Sequence, residues 1–438
     1  MPSETDAVAT PPSALRAWYV LAVLFTVYIC STADRHILSI LAPAIKADLQ
    51  LSDTQIGLLT GPAIAVLYGI ISVPVAHLAD RIHRVRLLAL CLFLWSLCTG
   101  AGALAGNALQ LSLSRIGVSA AEGGGMPTSA SIIADYFPPE RRPLALTLLS
   151  MSAMVGIFVC FSIGGAIEVA YGWRTTLVVA AVPGLLLCAL LLGTVREPRR
   201  GATDAGRGVA PPATAGSLAA SLKLILGDRL FRSVLIGASL STFASAGCIA
   251  WGPTFAMRRF GADAAEVGGQ LGLMIALLGG AAMLLGGIVT DRILVGRGRA
   301  ATFRVVAVTQ LVGLPMLAVA LTTGHLQLAL ALLGGFYGIM HFFVAAYWGA
   351  ASLMPAAVRA TTSAVGVLTL IVVGTGLAPP VIGLASDLLA ARLGEAALAW
   401  AMTVLLLSVL LSSAAFLRAA QVADATPRGI DLGQASAA

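Results

Sequence analysis

Long apolar runs separated by short polar loops dominate the chain. A helix that crosses the roughly 30 Å hydrocarbon core of a bilayer needs about 20 residues, and most of the apolar runs exceed that length. A β-barrel would show short alternating segments instead. The pattern therefore predicts an all-α membrane protein with twelve transmembrane helices at 15–44, 53–80, 84–106, 109–135, 142–168, 173–195, 229–257, 264–291, 301–322, 326–354, 358–389 and 395–419.

Residues 196–228 interrupt this pattern between the sixth and seventh predicted helices. The segment is rich in Gly, Pro, Ala and Thr with scattered charge, a composition that cannot bury a core and is typical of a linker. The predicted organisation is a tail (1–14), a six-helix bundle (15–195), a linker (196–228), a second six-helix bundle (229–419) and a tail (420–438). The first tail has no basic segment, so no cleavable signal peptide is expected.

The positions of lysine and arginine predict the orientation. If the N-terminus is cytoplasmic, 20 of the 27 basic residues fall in cytoplasmic loops or tails, five fall outside and two lie within the membrane. Basic loops stay on the cytoplasmic side, so both tails are predicted to be cytoplasmic and the protein to be a multi-pass protein of the inner (plasma) membrane. The same bias accounts for the formal charge of +7 without a nucleic-acid partner.

Four charged residues lie deep in apolar segments: Asp34 and Arg35 in the first helix, and Arg115 and Glu122 in the fourth. A charge at that depth costs about 2.5–3.5 kcal/mol on insertion scales, so it usually faces the bundle interior or a watery cavity. At 1.5 Å per residue, Asp34 is about 15 Å from the outer face, between Arg115 at about 9 Å and Glu122 at about 20 Å. Arg115 and Glu122 are seven residues apart and share a helix face. We expect the four groups to share one site.

Two hypotheses account for these charges. Burial and a neighbouring cation change the proton affinity of a carboxyl in opposite directions, so Asp34 or Glu122 can exchange protons while Arg35 or Arg115 binds a carboxylate or a substrate anion. Alternatively, the four residues form a static network that only fixes helix packing. An apolar replacement is usually no less stable than a buried ion pair, which favours the functional hypothesis.

The two halves of the sequence resemble each other. The loop at 76–84 contains Asp80-Arg81, and the loop at 287–292 contains Asp291-Arg292, an offset of 211 residues (291 − 80). The fifth and eleventh helices open at Arg142 and Arg359, an offset of 217 (359 − 142). These offsets predict a duplicated six-helix unit, an arrangement that in transporters encloses a site at the membrane midplane.

The two loops resemble those of the major facilitator superfamily, although Ala76 stands where that family's motif usually begins with Gly. The resemblance covers nearly the whole chain and implies two pseudo-symmetric bundles that work by alternating access. It also implies that charged residues at the cytoplasmic membrane edge hold the cytoplasmic side closed. In this chain these residues are Asp80, Arg81, Arg84, Asp135, Asp291 and Arg292. The alternative is that these are solvated loop charges that only set the topology.

A narrower resemblance connects the chain with the Spinster (sphingolipid-transporter-like) branch. It rests on Asp34-Arg35, on Arg115 with Glu122, on Met126-Pro127 and on the segment 135–142. The anion:cation symporter branch shares part of this pattern. The Spinster resemblance implies lysolipid or sphingoid-type cargo.

The tenth predicted helix is aromatic, and spans 7, 8, 10 and 11 of the second half contain no deep charge. This favours an apolar wall for the body of an amphiphile, formed by Phe336, Tyr337, His341, Phe342, Tyr347 and Trp348. The alternative is that the aromatic rings pack against lipid or neighbouring helices. His341 alone is more typical of a hydrogen-bonded core residue than of a proton carrier.

Absent motifs exclude several function classes. The sequence has no GxxxxGK phosphate loop, no HExxH and no GxSxG, so direct ATP use and hydrolase chemistry are not expected. The six cysteines form no metal-binding pattern, and no cofactor is expected. We predict a monomeric, proton-coupled secondary transporter that exports an amphipathic, lipid-like or hydrophobic organic molecule. The alternatives are uptake of a small organic anion with protons, a channel, or a receptor with this fold that transports nothing.

Overall fold

The computed structural model describes residues 13–62, 71, 78, 81–138, 140–198 and 218–425, and the chain there is built from helices. In the first half these are α1 (Ala14–Leu49), α2 (Asp53–Thr60), α3 (Arg84–Gly102), α4 (Ala108–Glu122), α5 (Gly125–Tyr136) and α6 (Arg142–Thr194). In the second half they are α7 (Leu218–Gly227), α8 (Arg229–Phe260), α9 (Ala264–Met274), α10 (Gly280–Arg297), α11 (Arg299–Thr322), α12 (Leu326–Met340), α13 (Val344–Ser352), α14 (Ala356–Thr369), α15 (Ala378–Leu393), α16 (Ala397–Met402) and α17 (Val404–Ala425). Two π-helical turns connect α9 to α10 and α14 to α15, at Ile275–Gly279 and Leu370–Gly376.

The helical membrane architecture predicted from the sequence is confirmed. Within the described ranges, eight helical stretches are long and apolar enough to cross a bilayer. Two of them, Leu144–Thr194 and Thr361–Ala425, contain 51 and 65 residues, and each covers two predicted spans. The predicted span 109–135 is divided into α4 and α5 by a turn at Gly123 and Gly124. The total of twelve spans and the cytoplasmic position of the tails stay predictions.

Local sequence accounts for several helix ends. Helix α2 starts at a capping box, in which the Ser52 side chain accepts from the Gln55 N–H and the Gln55 side chain accepts from the Ser52 N–H. Within α6, Gly172 has a φ of 80°, a conformation that side chains disfavour, and the backbone leaves the helical path there. This break separates the fifth and sixth predicted spans.

The first and second halves meet along α2 and α15. A Cβ added at Gly57 would lie 2.5 Å from the carbonyl oxygen of Pro379, and one added at Gly383 would overlap the carbonyl oxygen of Asp53. Each helix thus presents a glycine to the backbone of the other. Only glycine permits so close an approach, so this end of the bundle, which we call the Asp53 end, is closed along this line.

The same contact recurs between α6 and α9. A Cβ added at Gly165 would overlap the carbonyl oxygen of Ala264, and one added at Gly268 would overlap that of Phe161. The positions in the two contacts correspond between the halves. Residues 53 and 57 correspond to residues 264 and 268, an offset of 211, and residues 161 and 165 correspond to residues 379 and 383, an offset of 218. The loop motifs recur at nearly the same offsets. The packing therefore agrees with a duplicated unit whose halves interlock at two equivalent places.

The second half contains a buried cluster of polar side chains that are uncharged, unlike the deep charged residues of the first half. The Gln310 side-chain amide donates to Ser241 at 2.5 Å and accepts from the Ser412 hydroxyl at 2.7 Å. These three residues connect α8, α11 and α17 and are 0% exposed. Neutral hydrogen bonds of this kind hold membrane helices together, so we assign the cluster to packing.

Candidate functional site

The first of two buried ion pairs joins α1 to α4. Arg115 donates from Nη1 to Asp34 Oδ1 at 3.1 Å and from Nη2 to the Asp34 carbonyl oxygen at 2.8 Å. The Thr99 hydroxyl of α3 donates to the other carboxylate oxygen. The Arg115 and Asp34 side chains are 1% and 5% exposed, so this pair is sealed from solvent.

The second ion pair is formed by the chain neighbour of Asp34. Arg35 donates from Nε and Nη2 to Glu122 Oε2 at 3.3 and 3.2 Å, and the Ser31 hydroxyl donates to Oε1 at 3.3 Å. The Glu122 side chain is 1% exposed, whereas that of Arg35 is 26% exposed. Arg35 thus binds a buried carboxylate and is itself partly exposed.

The structure brings together all four deep charges that the sequence singled out. Each acid of one helix pairs with a base of the other, so the cluster is electrically balanced within each pair. Ser31 and Thr99, which complete the hydrogen bonding, were not predicted. Removing one partner of a buried pair leaves an uncompensated charge at a cost of about 3–5 kcal/mol. A change of protonation at either acid therefore acts strongly on its basic partner.

A cavity of about 160 Å³ lies between the two halves beside Arg35. The first half contributes Arg35, His36, Ser39 and Thr60 to its wall. The second half contributes Thr242, Ser245, Ala246, Ile249, Ala250, Tyr337, His341, Ile371, Thr375 and Pro379. The exposed side of Arg35 therefore belongs to a space that both halves enclose.

Hydroxyl groups are prominent in this wall. Thr60, Thr242 and Ser245 donate their hydroxyl protons to helix carbonyls at 3.0, 2.9 and 3.1 Å. A hydroxyl has two acceptor lone pairs besides its proton, so these groups remain able to accept hydrogen bonds. Together with Arg35 they make a surface suited to a polar organic ligand.

The π-helical turn Leu370–Gly376 shapes one side of the cavity. It contains two lining residues, Ile371 and Thr375. A Cβ added at Gly374 would lie 2.6 Å from Thr242 Cβ, so the turn packs directly on α8. π-helical segments inside α-helices frequently occur at functional sites.

Two members of the predicted aromatic wall reach the cavity. Tyr337 and His341 line it, their rings are 4.5 Å apart, and His341 Nδ1 donates to the Tyr337 carbonyl oxygen at 2.8 Å. The other four are not among the described lining residues. Phe336 packs on Gly313, Phe342 packs on Gly286, Tyr347 packs among Phe231 and Phe343, and Trp348 is 45% exposed. A substrate contact for these four stays a prediction.

The Asp53 end carries an ion cluster that the sequence analysis missed. The Asp53 carboxylate, 4% exposed, accepts from Arg258 Nη1 and Nη2 at 2.8 and 2.7 Å, from Lys46 at 2.5 Å and from the Ser386 hydroxyl at 2.7 Å. Arg258 belongs to α8 and Ser386 to α15. The cluster therefore connects the first half to two helices of the second.

Asp387 completes this cluster from α15. Its carboxylate accepts from the backbone N–H groups of Asp53 and Thr54 at 3.0 and 2.8 Å and from the Thr54 hydroxyl at 2.6 Å. A carboxylate at a helix N-terminus satisfies free N–H groups and the helix dipole. We call Lys46, Asp53, Arg258, Ser386 and Asp387 the Asp53 latch. The distribution of basic residues among the loops predicts that this end of the bundle lies on the outer side of the membrane.

The structure describes only some of the charged residues that were predicted to hold the cytoplasmic side closed. Arg84, 2% exposed, donates to Asp135 at 2.6 Å and to Glu197 at 2.7 Å; Arg84 and Asp135 belong to the first half, and Glu197 lies at the start of the predicted linker. Arg81 and Arg292 are exposed. Asp80 lies outside the described residues, as does the side chain of Asp291. A latch between the halves at this end stays a prediction.

The contribution of the Arg84–Glu197 ion pair to the stability of the protein is expected to depend on pH. Burial opposes ionisation of Glu197, but the Val85 N–H and the Arg84 guanidinium outweigh it and lower its pKa. A lowered pKa contributes stability that is present above the unfolded-state value of about 4.3 and is lost as pH falls below it. We expect Glu197→Gln to lower the Tm at pH 7 and to weaken the further fall in Tm between pH 5 and pH 3, measured by thermal unfolding in detergent. Glu395→Gln, at an exposed site, is the control and should leave the Tm curve unchanged; an identical curve for Glu197→Gln would refute the assignment.

Comparison with known proteins decides the family. The profile of the Major Facilitator Superfamily matches residues 24–379. The chain belongs to this superfamily. It is 31% identical over 400 residues to an MFS-type efflux pump of Mycolicibacterium smegmatis, covering 91% of each chain. It is 28% identical over 307 residues to a probable galactarate/D-glucarate transporter of Bacillus subtilis, covering 65% of this chain and 67% of that one.

The solved structures support the narrower resemblance as well. The crystal structure of a bacterial homologue of the human lysosomal transporter Spinster, in an inward-facing and unoccupied conformation, superposes with a TM-score of 0.82. Its sequence is 26% identical, and the match covers 94% of this chain and 98% of that one. The Spinster resemblance drawn from residues 34–35 and 115–142 is thus confirmed, and the major facilitator protein described here is a membrane transporter.

Proposed function

We propose that this transporter couples proton movement to the transport of an organic molecule that carries an anionic group. The observation that carries the proposal is the position of Arg35. Its guanidinium holds Glu122 and at the same time lines the cavity between the halves. An arginine binds carboxylates and phosphates through two parallel hydrogen bonds, so Glu122 and a substrate anion compete for the same cation.

This competition provides the coupling. When Glu122 takes up a proton, Arg35 loses its counter-charge and attracts an anion from the cavity. When an anion neutralises Arg35, protonation of Glu122 becomes less costly. Because linkage between two ligands is reciprocal, proton and anion favour each other's binding and travel in the same direction. Alternating access then carries both across the membrane.

Asp34 and Arg115 have a different role in this scheme. Their pair is sealed, with three hydrogen bonds that include Thr99. Asp34 is the second proposed proton site, because a change in its charge acts on Arg115 and on the adjacent Arg35. Arg115 keeps Asp34 at a fixed distance from the Arg35–Glu122 pair.

The wall of the cavity favours a compact, hydroxylated organic acid as the substrate. Six side-chain hydroxyls of the described residues line it: Ser39, Thr60, Thr242, Ser245, Tyr337 and Thr375. Hydroxyls on the protein can accept hydrogen bonds from hydroxyls on the ligand, and an apolar chain offers no such donors. The similarity to a galactarate/D-glucarate transporter supports this choice.

An amphipathic, lipid-like substrate is the second candidate. The likeness to the Spinster homologue favours it, and so does the apolar part of the wall, which includes Ile249 and Ile371. In this case Arg35 would hold an anionic head group, and the apolar chain would extend along the second half.

Flux into proteoliposomes tests the proposal and separates the two candidates. Liposomes loaded at pH 7.5 are placed in medium at pH 6.0 with radiolabelled glucarate or with a labelled lysophospholipid. We expect saturable accumulation that a protonophore abolishes, with glucarate preferred. Equal flux with and without the pH gradient would contradict proton coupling, and preference for the lysophospholipid would select the second candidate.

A further inference from the structure

A second cavity, of about 330 Å³, lies at the Asp53 end on the side of the second half. The ends of α8 and α11 and the start of α16 enclose it. Its lining residues are Phe255, Arg258, Arg259, Leu321, Thr322, Glu395, Ala396, Leu398, Ala399, Trp400 and Thr403. Among the described residues it shares none with the central cavity, so it is a separate site.

The charges on its wall are predominantly positive. Arg259 is exposed and forms no ion pair within the described part of the chain. Arg258 directs two nitrogens to Asp53 but also lines the cavity. Glu395, exposed, is the acid on the wall. Asp53 compensates the charge of Arg258, so Arg259 is the cation on this wall that is available to an anionic ligand.

The rest of the wall is mainly apolar and includes the exposed indole of Trp400. Phe255, Leu321 and Leu398 are 2%, 8% and 1% exposed, and Trp400 is 59% exposed. Tryptophan side chains concentrate at the membrane–water interface, where their apolar rings lie at the level of the lipid head groups. A cation pair beside a buried apolar surface matches an anionic head group attached to an acyl chain.

We propose that this cavity binds an anionic membrane lipid. Arg259 and the outer side of Arg258 hold the phosphate of the head group, and the acyl chain lies along Leu398 and Trp400. Basic pockets between transmembrane helices on the cytoplasmic side bind the head groups of anionic lipids, and the same charge pairing is available here at the Asp53 end. The lipid comes from the leaflet at the Asp53 end.

Arg258 connects this lipid site to the Asp53 latch. Both of its terminal nitrogens donate to the Asp53 carboxylate at 2.7–2.8 Å. A phosphate beside the same guanidinium adds a second anion close to Asp53, and like charges at short range repel. A bound lipid therefore weakens the latch, and by reciprocity an open latch binds the lipid more tightly.

Binding is tested by native mass spectrometry with dihexanoyl phosphatidylglycerol, dihexanoyl phosphatidylcholine and inorganic phosphate. We expect phosphatidylglycerol to bind, and Arg259→Ala to weaken it about tenfold, which corresponds to the loss of one charge-assisted hydrogen bond. Arg392→Ala removes an exposed arginine outside the cavity wall and should change the Kd less than twofold. Equal binding of the two lipids, or an unchanged Kd in Arg259→Ala, would overturn the lipid site; tighter binding of free phosphate than of the lipid would reduce it to an anion site.

Coupling to the latch is measured by hydrogen–deuterium exchange in nanodiscs. The amide hydrogens of Asp53 and Thr54 are held by Asp387, so their exchange reports latch opening. We expect phosphatidylglycerol to accelerate exchange in the wild type and in Arg392→Ala but not in Arg259→Ala. Unchanged exchange in the wild type would overturn the coupling. Because the readout needs no substrate, a failure of the proposed transport function would leave this result unaffected.

Discussion

Glu122→Gln is expected to abolish proton-driven accumulation of substrate while leaving substrate exchange intact. The amide keeps the shape of the carboxyl: its oxygen can accept from Arg35, and its NH2 group can donate to the Ser31 hydroxyl in place of the bond that Glu122 accepts. It cannot gain or lose a proton, so the competition for Arg35 no longer depends on pH. We expect gradient-driven accumulation to fall to the level of empty liposomes and counterflow at symmetrical pH to persist, because Arg35 keeps a hydrogen bond to the amide and its side chain is 26% exposed, so solvent screens its charge.

The matched control for this variant is Ser31→Ala. It removes one hydrogen bond to Glu122 but leaves the titrating group, so accumulation should persist at a reduced rate. Wild-type accumulation in Glu122→Gln would remove this residue from the mechanism. Loss of counterflow together with accumulation would instead show that Glu122 acts by fixing the helices.

Asp53→Asn is expected to open the Asp53 end. The change leaves Arg258 and Lys46 beside each other without the carboxylate that both contact, and the two cations then repel. Their side chains are 25% and 33% exposed, so solvent screens part of this effect. Loss of hydrogen bonds to a charged group costs about 1.5–3 kcal/mol, which shifts the ratio of open to closed forms roughly tenfold to a hundredfold.

Distances between spin labels at residues 50 and 392, one in each half, measure this shift. Gln50 and Arg392 are exposed, so the labels should not disturb packing. Asp53→Asn should add a population at longer distance. The control is Asp48→Asn, which removes a carboxylate at the same end that pairs with Arg174 inside the first half; its distance distribution should match the wild type. An unchanged distribution in Asp53→Asn would show that glycine packing alone keeps this end closed.

The deep charges were predictable because membrane helices tolerate ionisable groups only where they are used or paired. The apolar context singled out Asp34 and Glu122, and the seven-residue spacing from Arg115 predicted a shared face. The pairing of each acid with the base of the other helix followed once α1 and α4 were neighbours. The break after Glu122, caused by three successive glycines at 123–125, did not disturb this geometry.

The Asp53 latch was not predictable for a physical reason. Asp53 follows Ser52 at the start of a helix, where an acid is already explained by the N-terminal dipole. Its partners Arg258 and Ser386 are 205 and 333 residues away, and only the packing of the two halves brings them together. No local pattern distinguishes such an acid from an ordinary one in the first turn.

The cavity wall also escaped sequence analysis. Serine and threonine in membrane helices commonly donate to their own helix carbonyls, as Thr242 does, so their presence does not indicate a binding surface. The aromatic residues were expected on one wall, but α12 ends at Met340 and α13 begins at Val344. The turn between these helices changes the directions of the side chains that follow, so a single helical face could not be extended through it.

Proton coupling by alternating access requires that protonation of Glu122 shift the balance between the open and closed forms of the Asp53 end. The most direct measurement is the spin-label distance between residues 50 and 392 in reconstituted protein at pH 5 and pH 8. We predict that the wild-type distribution changes between these two values and that the Glu122→Gln distribution does not. A pH response of equal size in both proteins, or none in the wild type, would contradict the claim.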